Sequence, residues 1–164
     1  MSIAINAILS FSAALVLHEM GHFFAARACK VSITEAGLGW GPKVFGIRAR
    51  GIDYQLRLLP LGAYIRMDMS TLQKRPLFQQ LFVLLAGIAV NVILAAVAWG
   101  TFFGALNLVM AVGNLVPFYQ QDGWKSGMVI FRRVLKRRSP LVEWSFTLSP
   151  GLVGLLVLIR VICC

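Results

Sequence analysis

Three long apolar runs constrain this chain more than anything else in its sequence: residues 3 to 26, 77 to 118 and 144 to 162. A helix needs roughly 20 residues to cross about 30 Å of hydrocarbon, and the middle run is long enough for two short spans. Lipid offers backbone N–H and C=O groups no partners, so such runs are expected as helices. The resulting expectation is a polytopic α-helical membrane protein with four spans, at about residues 3–26, 77–103, 105–118 and 144–162. Composition agrees, with 59% of residues hydrophobic, 13% charged and a mean hydropathy of +0.78; a soluble domain of this length is not built that way. No linker, repeat or low-complexity tract divides residues 1–164, so one domain is expected. The first run lacks a basic start and a small-residue cleavage site and does not resemble a removable signal peptide.

The formal charge of +10 is confined to two blocks, Arg27 to Arg75 and Lys125 to Arg138, with only Arg160 outside them. No Lys or Arg occurs from Pro76 to Trp124. By the positive-inside rule both blocks face the cytoplasm, which puts the N-terminus outside and makes the number of spans even. Such blocks suit membrane lipids with anionic headgroups. Nothing accompanies them that would read nucleic acid, and no nucleic-acid partner is expected. Within the second block, Met128, Val129, Phe131 and Leu135 alternate with cations, the pattern of an interfacial helix at about 125–138. Cys29, Cys163 and Cys164 match neither a zinc-knuckle nor a disulfide spacing.

Against this background the segment "ALVLHEMGHFFAAR", residues 13 to 26, is anomalous. His18 and His22 are four apart, so on a helix they project from one face and can share a metal ion. Glu19, one position on, can reach a water held there without itself being a ligand. In this H-E-x-x-H arrangement zinc acidifies the water and the glutamate takes its proton. The plain alternative is interhelical hydrogen bonding. An ionisable residue inside a span costs about 2.5–3.5 kcal/mol on insertion scales, which favours the functional reading.

Catalytic zinc sites usually have three protein ligands. Of the remaining acids, Glu35, Asp53, Asp68, Asp122 and Glu143, Asp122 combines a neighbouring apolar span with a helix-breaking context, "GNLVPFYQQDGWK". Pro117 breaks the span, Gly123 permits a sharp turn, and Asn114 can satisfy backbone groups freed by the break. The alternative is a plain loop turning at Asp-Gly.

Several of these segments, in this order, resemble the site-2 proteases, intramembrane zinc metalloproteases. "HEMGH" is similar to that family's first motif, "NLVPFYQQDG" has its N-x-x-P-x-x-x-x-D-G spacing, and "LLAGIAVNVILA" is similar to its A-G-P-x-x-N element. The stretch "GLGWGPKVFGIRARGIDYQLRLLPLGAYIRM" resembles the membrane-associated β-hairpin region of bacterial members. The resemblance implies one zinc ion held by His18, His22 and Asp122, with Glu19 as general base. Asn91 would bond the substrate backbone or the developing oxyanion. The substrate would be a transmembrane segment of another protein, and the location the bacterial inner membrane. Ile88 stands where the family usually has proline, and Trp124 and Ala63 replace common glycines. The 22 residues between Asn91 and Asn114 are too few for the PDZ domain that larger members insert there. The sequence names no oligomeric state.

The hairpin region, about 33–67, also has a physical reading. Tyr54, Leu56 and Leu58 alternate with Gln55 and Arg57, and Phe45, Ile47 and Ala49 alternate with Gly46, Arg48 and Arg50, with Gly51 between them as the turn. The Tyr54–Leu58 residues are expected to hold substrate by offering an open strand edge. Two rival functions use the same features: a catalytically silent binder of membrane segments, which needs no metal, and a metal-dependent lipid enzyme, which keeps it.

Overall fold

The computed structural model describes residues 3–116 and 121–135. The elements are α1 (Ile3–Ala28), β1 (Ile33–Ala49), β2 (Ile52–Met67), α2 (Met69–Gln73), α3 (Leu77–Val97), α4 (Phe102–Leu115) and α5 (Asp122–Leu135). Helices α1 and α3 are long and apolar enough to cross a membrane, whereas α4 is apolar but shorter. The apolar residues of α1 are spread round its circumference, and Ile3, Ile5, Ile8, Leu9 and Phe24 are exposed. A helix apolar all round but packed on one side suits lipid rather than water. The expected span at 144–162 and the break at Pro117 lie outside the described residues.

Helices α1 and α3 cross closely because small residues meet there. A Cβ on Gly21 would lie 2.8 Å from the Ala86 carbonyl oxygen and 2.8 Å from a Val90 methyl, the close approach on which helix pairs in lipid rely. At the foot of the crossing Ala25, Ala26, Val31, Ile33, Ile52, Leu72, Val83 and Leu84 form the buried core. Proline-led α3 ends at Val97 and α4 begins at Phe102, earlier than hydropathy alone placed the break. Gly100 has φ 78° and the Thr101 hydroxyl caps the Gly104 N–H at 3.0 Å, so turn chemistry sets the boundary inside an unbroken apolar run.

The strands are antiparallel, but each folds back and pairs twice. Residues Lys43–Ala49 partner Ile52–Arg57 across the expected turn at Arg50 and Gly51, and Ile33–Leu38 partner Ala63–Met67. In addition Ala36, Gly37 and Leu38 face Tyr54, Gln55 and Leu56. Tyr54, Gln55 and Leu56 therefore have neighbours on both sides, and the singly paired segments are 43–49 and 63–67. The expected hairpin is present but longer than the alternation indicated. Its Tyr54–Leu56 stretch is not the open edge that the sequence suggested, because the fold-back places Ala36–Leu38 against it.

A polar clasp secures the fold-back. Glu35 accepts a short hydrogen bond from the Tyr64 hydroxyl and pairs with Arg57 at 3.5 Å and Arg66 at 3.3 Å. The Arg57 guanidinium lies 4.8 Å from the Tyr64 ring centroid. Burial pushes the Tyr64 phenol above its ordinary pKa and the bond to Glu35 adds to that, so it stays a donor at neutral pH.

Candidate metal centre

Helical periodicity places His18 and His22 on the α1 face that meets α3, both 4% exposed. What allows α3 so near is Gly87. A Cβ there would fall on the His22 Nε2 and within 2.7 Å of the His18 Nε2. Asp122, the first residue of α5, is 9% exposed and brings its carboxylate to the same point from a position 100 residues away from His22. Its Oδ2 lies 3.1 Å from His18 Nε2 and 3.0 Å from His22 Nε2, and the two ring nitrogens are 3.2 Å apart.

The chemistry of this donor set can be worked out atom by atom. The His22 Nδ1 lies 2.8 Å from the Val83 carbonyl oxygen, which can only accept, so that nitrogen carries the proton. Neutral His22 then turns a bare lone pair at Nε2 toward the Asp122 oxygen, itself an acceptor. Two acceptors about 3 Å apart in a buried site repel unless a cation or proton lies between them. Zinc with ligands at about 2.0–2.1 Å in tetrahedral array holds them roughly 3.3 Å apart, close to the spacing here. Among the described residues these three are the one group of His, Cys, Asp or Glu whose donor atoms converge, all within 4.8 Å. The residues present therefore fit a divalent metal with an open coordination position.

Around the three donors stand residues that aim them. The Lys125 ammonium is 3.2 Å from Asp122 Oδ1, the oxygen turned away from the histidines, and so favours single-oxygen contact toward the metal position. Such outer contacts fix ligand orientation. Asn91, one turn along α3 from Gly87, is fully buried, and neither of its amide atoms has a hydrogen-bond partner among the described residues. Gly123 is required by packing, since a Cβ there would lie 2.8 Å from the Asn114 carbonyl oxygen and nearer still to that of Leu115. The Asn114 side chain donates to the Met110 carbonyl at 3.0 Å, inside α4.

Glu19 follows His18 by one position and is rotated about 100° round the helix. It opens into a cleft of about 530 Å³ between α1 and the sheet. Val16, Met20 and Phe23 form one wall, and Leu38, Phe45, Ile47, Tyr54, Gln55 and Leu56 line the other. The wall is apolar apart from Glu19, Gln55 and Tyr64, so it suits an apolar chain. Of the expected strand residues, Tyr54, Gln55 and Leu56 reach the cleft; Arg57 instead donates to the Gly41 carbonyl at 3.0 Å, and Leu58 is exposed.

Gly87, the Val83 carbonyl and Lys125 were not singled out in the sequence. Gly87 lay within a quoted motif, but its part depends on which face α3 turns to α1. Lys125 read as one cation in a basic block.

A membrane protein whose first long helix carries two buried histidines that meet an aspartate from a later helix is the class that fold and site define. Residues 6–104 match the family described as Peptidase family M50, and the chain belongs to that family. The match ends before Asp122, which joins the site through geometry. The chain is 35% identical over 101 residues to a Clostridium perfringens protein named "Putative zinc metalloprotease", covering 57% of this chain and 30% of that one. To a Helicobacter pylori protein of the same name it is 28% identical over 147 residues, covering 80% of this chain and 41% of that one. To "Probable protease eep" of Enterococcus faecalis it is 40% identical over 68 residues, covering 41% and 16%. The chain thus spans well under half the length of these curated relatives.

Proposed function

We propose that this chain is the catalytic part of an intramembrane zinc metalloendopeptidase that hydrolyses peptide bonds in or near transmembrane segments. The observation that carries the reading is the convergence of three potential ligand atoms, His18 Nε2, His22 Nε2 and Asp122 Oδ2, at 3.0–3.2 Å. Zinc, when bound there, supplies an acidified water and polarises a carbonyl. Glu19, in the cleft wall beside the donors, takes the proton of the attacking water and passes it to the leaving amine. Asn91 donates its amide N–H to the substrate carbonyl as charge develops on that oxygen. A helical peptide bond is shielded, so the substrate unwinds before attack and lies extended in the apolar cleft. The names of the relatives support the zinc and the protease activity.

Depth supports a site within the membrane. His22 and His18 lie six and ten residues before Ala28, about 9 and 15 Å from the end of α1 at 1.5 Å per residue. Helix α4, with 14 residues, descends about 21 Å and leaves Asp122 at a similar depth in roughly 30 Å of hydrocarbon. The basic residues flanking the spans support an even number of crossings in a bacterial inner membrane, of which the one expected at 144–162 lies outside the described residues.

Purified protein in lipid nanodiscs tests the reading. About one zinc per chain by elemental mass spectrometry is expected, with cleavage of a transmembrane peptide that stops when a chelator removes the metal. Zinc without peptide cleavage would point to a silent binder, hydrolysis of lipid alone to a lipid enzyme, and either result overturns the reading.

A further inference from the structure

Beneath the cytoplasmic end of α1 lies a second cavity, of about 470 Å³, lined by Arg27, Lys30, Ser32, Arg50 and the apolar Val31, Ile33 and Ile52. It holds three cations and no acid. Four cations elsewhere pair with carboxylates: Lys43 with Asp53, Arg57 and Arg66 with Glu35, and Lys125 with Asp122. Arg27, Lys30 and Arg50 have no such partner among the described residues, and Arg75 adds a further cation nearby by donating to the Lys30 carbonyl at 2.5 Å. The negative end of the α1 dipole accounts for part of the attraction at Arg27 and Lys30. It does not account for Arg50, brought in from the hairpin turn.

The backbone gives an independent sign. Among the described residues only Lys30 and Arg50 are non-glycine residues at positive φ, 54° and 51°, and both line this one cavity. Lys30 ends α1 in a Schellman arrangement, with its N–H on the Arg27 carbonyl at 3.1 Å and the Val31 N–H on the Ala26 carbonyl at 2.8 Å. Glycine is the usual residue at that position. Arg50 shares the tight hairpin turn with Gly51, where Asn or Gly is usual. A left-handed conformation costs a side-chain-bearing residue of order 1 kcal/mol or more. Two cations thus stand at positions where uncharged residues would be cheaper, and both line one cavity.

We propose that this cavity binds the phosphate group of an anionic phospholipid, with Arg27, Lys30 and Arg50 as its charge-assisted donors and the Ser32 hydroxyl as a fourth. A lipid headgroup fits better than free phosphate because the cavity lies where a membrane helix emerges, and apolar walls meet the cations. The exposed Val44 on the adjoining strand adds apolar surface outside the cleft. The bound phosphate ties the tip of the hairpin to the end of α1, the two walls of the cleft that holds Glu19. The site does not depend on the protease reading.

The test is lipid binding by the full chain in neutral detergent, read by native mass spectrometry. The titrants are dioleoyl phosphatidylglycerol, dioleoyl phosphatidylcholine and, in competition, inorganic phosphate. The wild type is expected to retain one phosphatidylglycerol in preference to phosphatidylcholine, and inorganic phosphate is expected to compete only weakly. The combined variant Arg27→Gln, Lys30→Gly, Arg50→Asn should bind about 100-fold more weakly, at roughly fivefold per cation. Its thermal midpoint without lipid should be equal or higher, because both left-handed positions receive residues that tolerate them. A control lacking the charges of Lys136, Arg137 and Arg138 should bind as the wild type does. Equal loss in that control, equal retention of both lipids, or displacement by inorganic phosphate at the lipid's own concentration would each overturn the proposal. Should the combined variant fail to fold, Arg27→Gln at an exposed helical position carries the test alone, with a fivefold loss expected and no change overturning it.

Discussion

The α1–α3 crossing and the folded sheet solve opposite problems within one small protein. At the crossing, Gly21 and Gly87 remove every atom between the helices so that two histidines and an aspartate meet in a buried space. The sheet leaves Trp40, Val44, Phe45, Ile47 and Leu58 more than half exposed and relies on backbone pairing and one polar clasp. The difference teaches where side-chain identity counts. A single methyl group is decisive at the crossing because it would strike the metal-binding side chains; on the sheet it is as tight at the fold-back, at Gly37 and Gly39, and the exposed strand faces carry less.

The strongest way to break this comparison is at the reacting groups. Glu19→Gln keeps size but cannot accept a proton, so cleavage of a transmembrane peptide should fall by about 10²–10⁴-fold with zinc retained. Asp122→Ala should lower zinc content as well as activity. Wild-type cleavage by Glu19→Gln, or full zinc in Asp122→Ala, would remove the assigned roles.

Next comes a pair of glycine substitutions that differ only in what a methyl meets. At Gly87 it falls on the histidine nitrogens, while at Gly113 nothing among the described residues lies within 4 Å. Gly87→Ala should therefore lose most of its zinc affinity, whereas Gly113→Ala, on a helix, should raise stability by about 0.5–1 kcal/mol. Metal titration and thermal unfolding of both variants check this, and similar behaviour of the two would mean that the crossing is less tight than its geometry implies.

A smaller effect is expected one shell further out. Lys125→Met frees Asp122 Oδ1 and should weaken zinc binding by about 10–100-fold, with Lys125→Arg restoring most of it. Unchanged zinc affinity in Lys125→Met would reduce this 3.2 Å contact to a surface ion pair.

What the sequence made legible follows the same division. The spacing of His18, Glu19 and His22 declares a shared helix face because periodicity is local. Asp122 stood out because few acids exist and it follows a broken span. The span break at Gly100 and Thr101 was hidden because hydropathy is blind to turn chemistry. The fold-back of the sheet was hidden too: alternation at Tyr54–Leu58 declares a strand and one wet face but says nothing about which segment lies on either side. Ala36–Leu38, about 18 residues upstream by the observed pairing, fills the place that looked open.

That correction moves the smallest prediction to a different strand. If an unwound substrate adds to the sheet, it needs N–H and C=O groups not already paired, and among the cleft-lining strands residues 43–49 and 63–67 have a single partner segment. Phe45 and Ile47 belong to the first of these and line the cleft. Neighbouring residues in a strand point their N–H groups to opposite sides, so of Ile47→Pro and Arg48→Pro one deletes an outward donor and the other an inward one. The outward variant should slow cleavage several-fold while zinc content and thermal stability hold; the inward one should lose stability, as Gln55→Pro should in the doubly paired strand. Arg48→Ala, which keeps the backbone, should cleave at the wild-type rate. Equal cleavage by all three proline variants would show that substrate does not pair with this edge. Cleavage lost in Arg48→Ala as well would assign recognition to side chains and reverse the contrast between sheet and crossing.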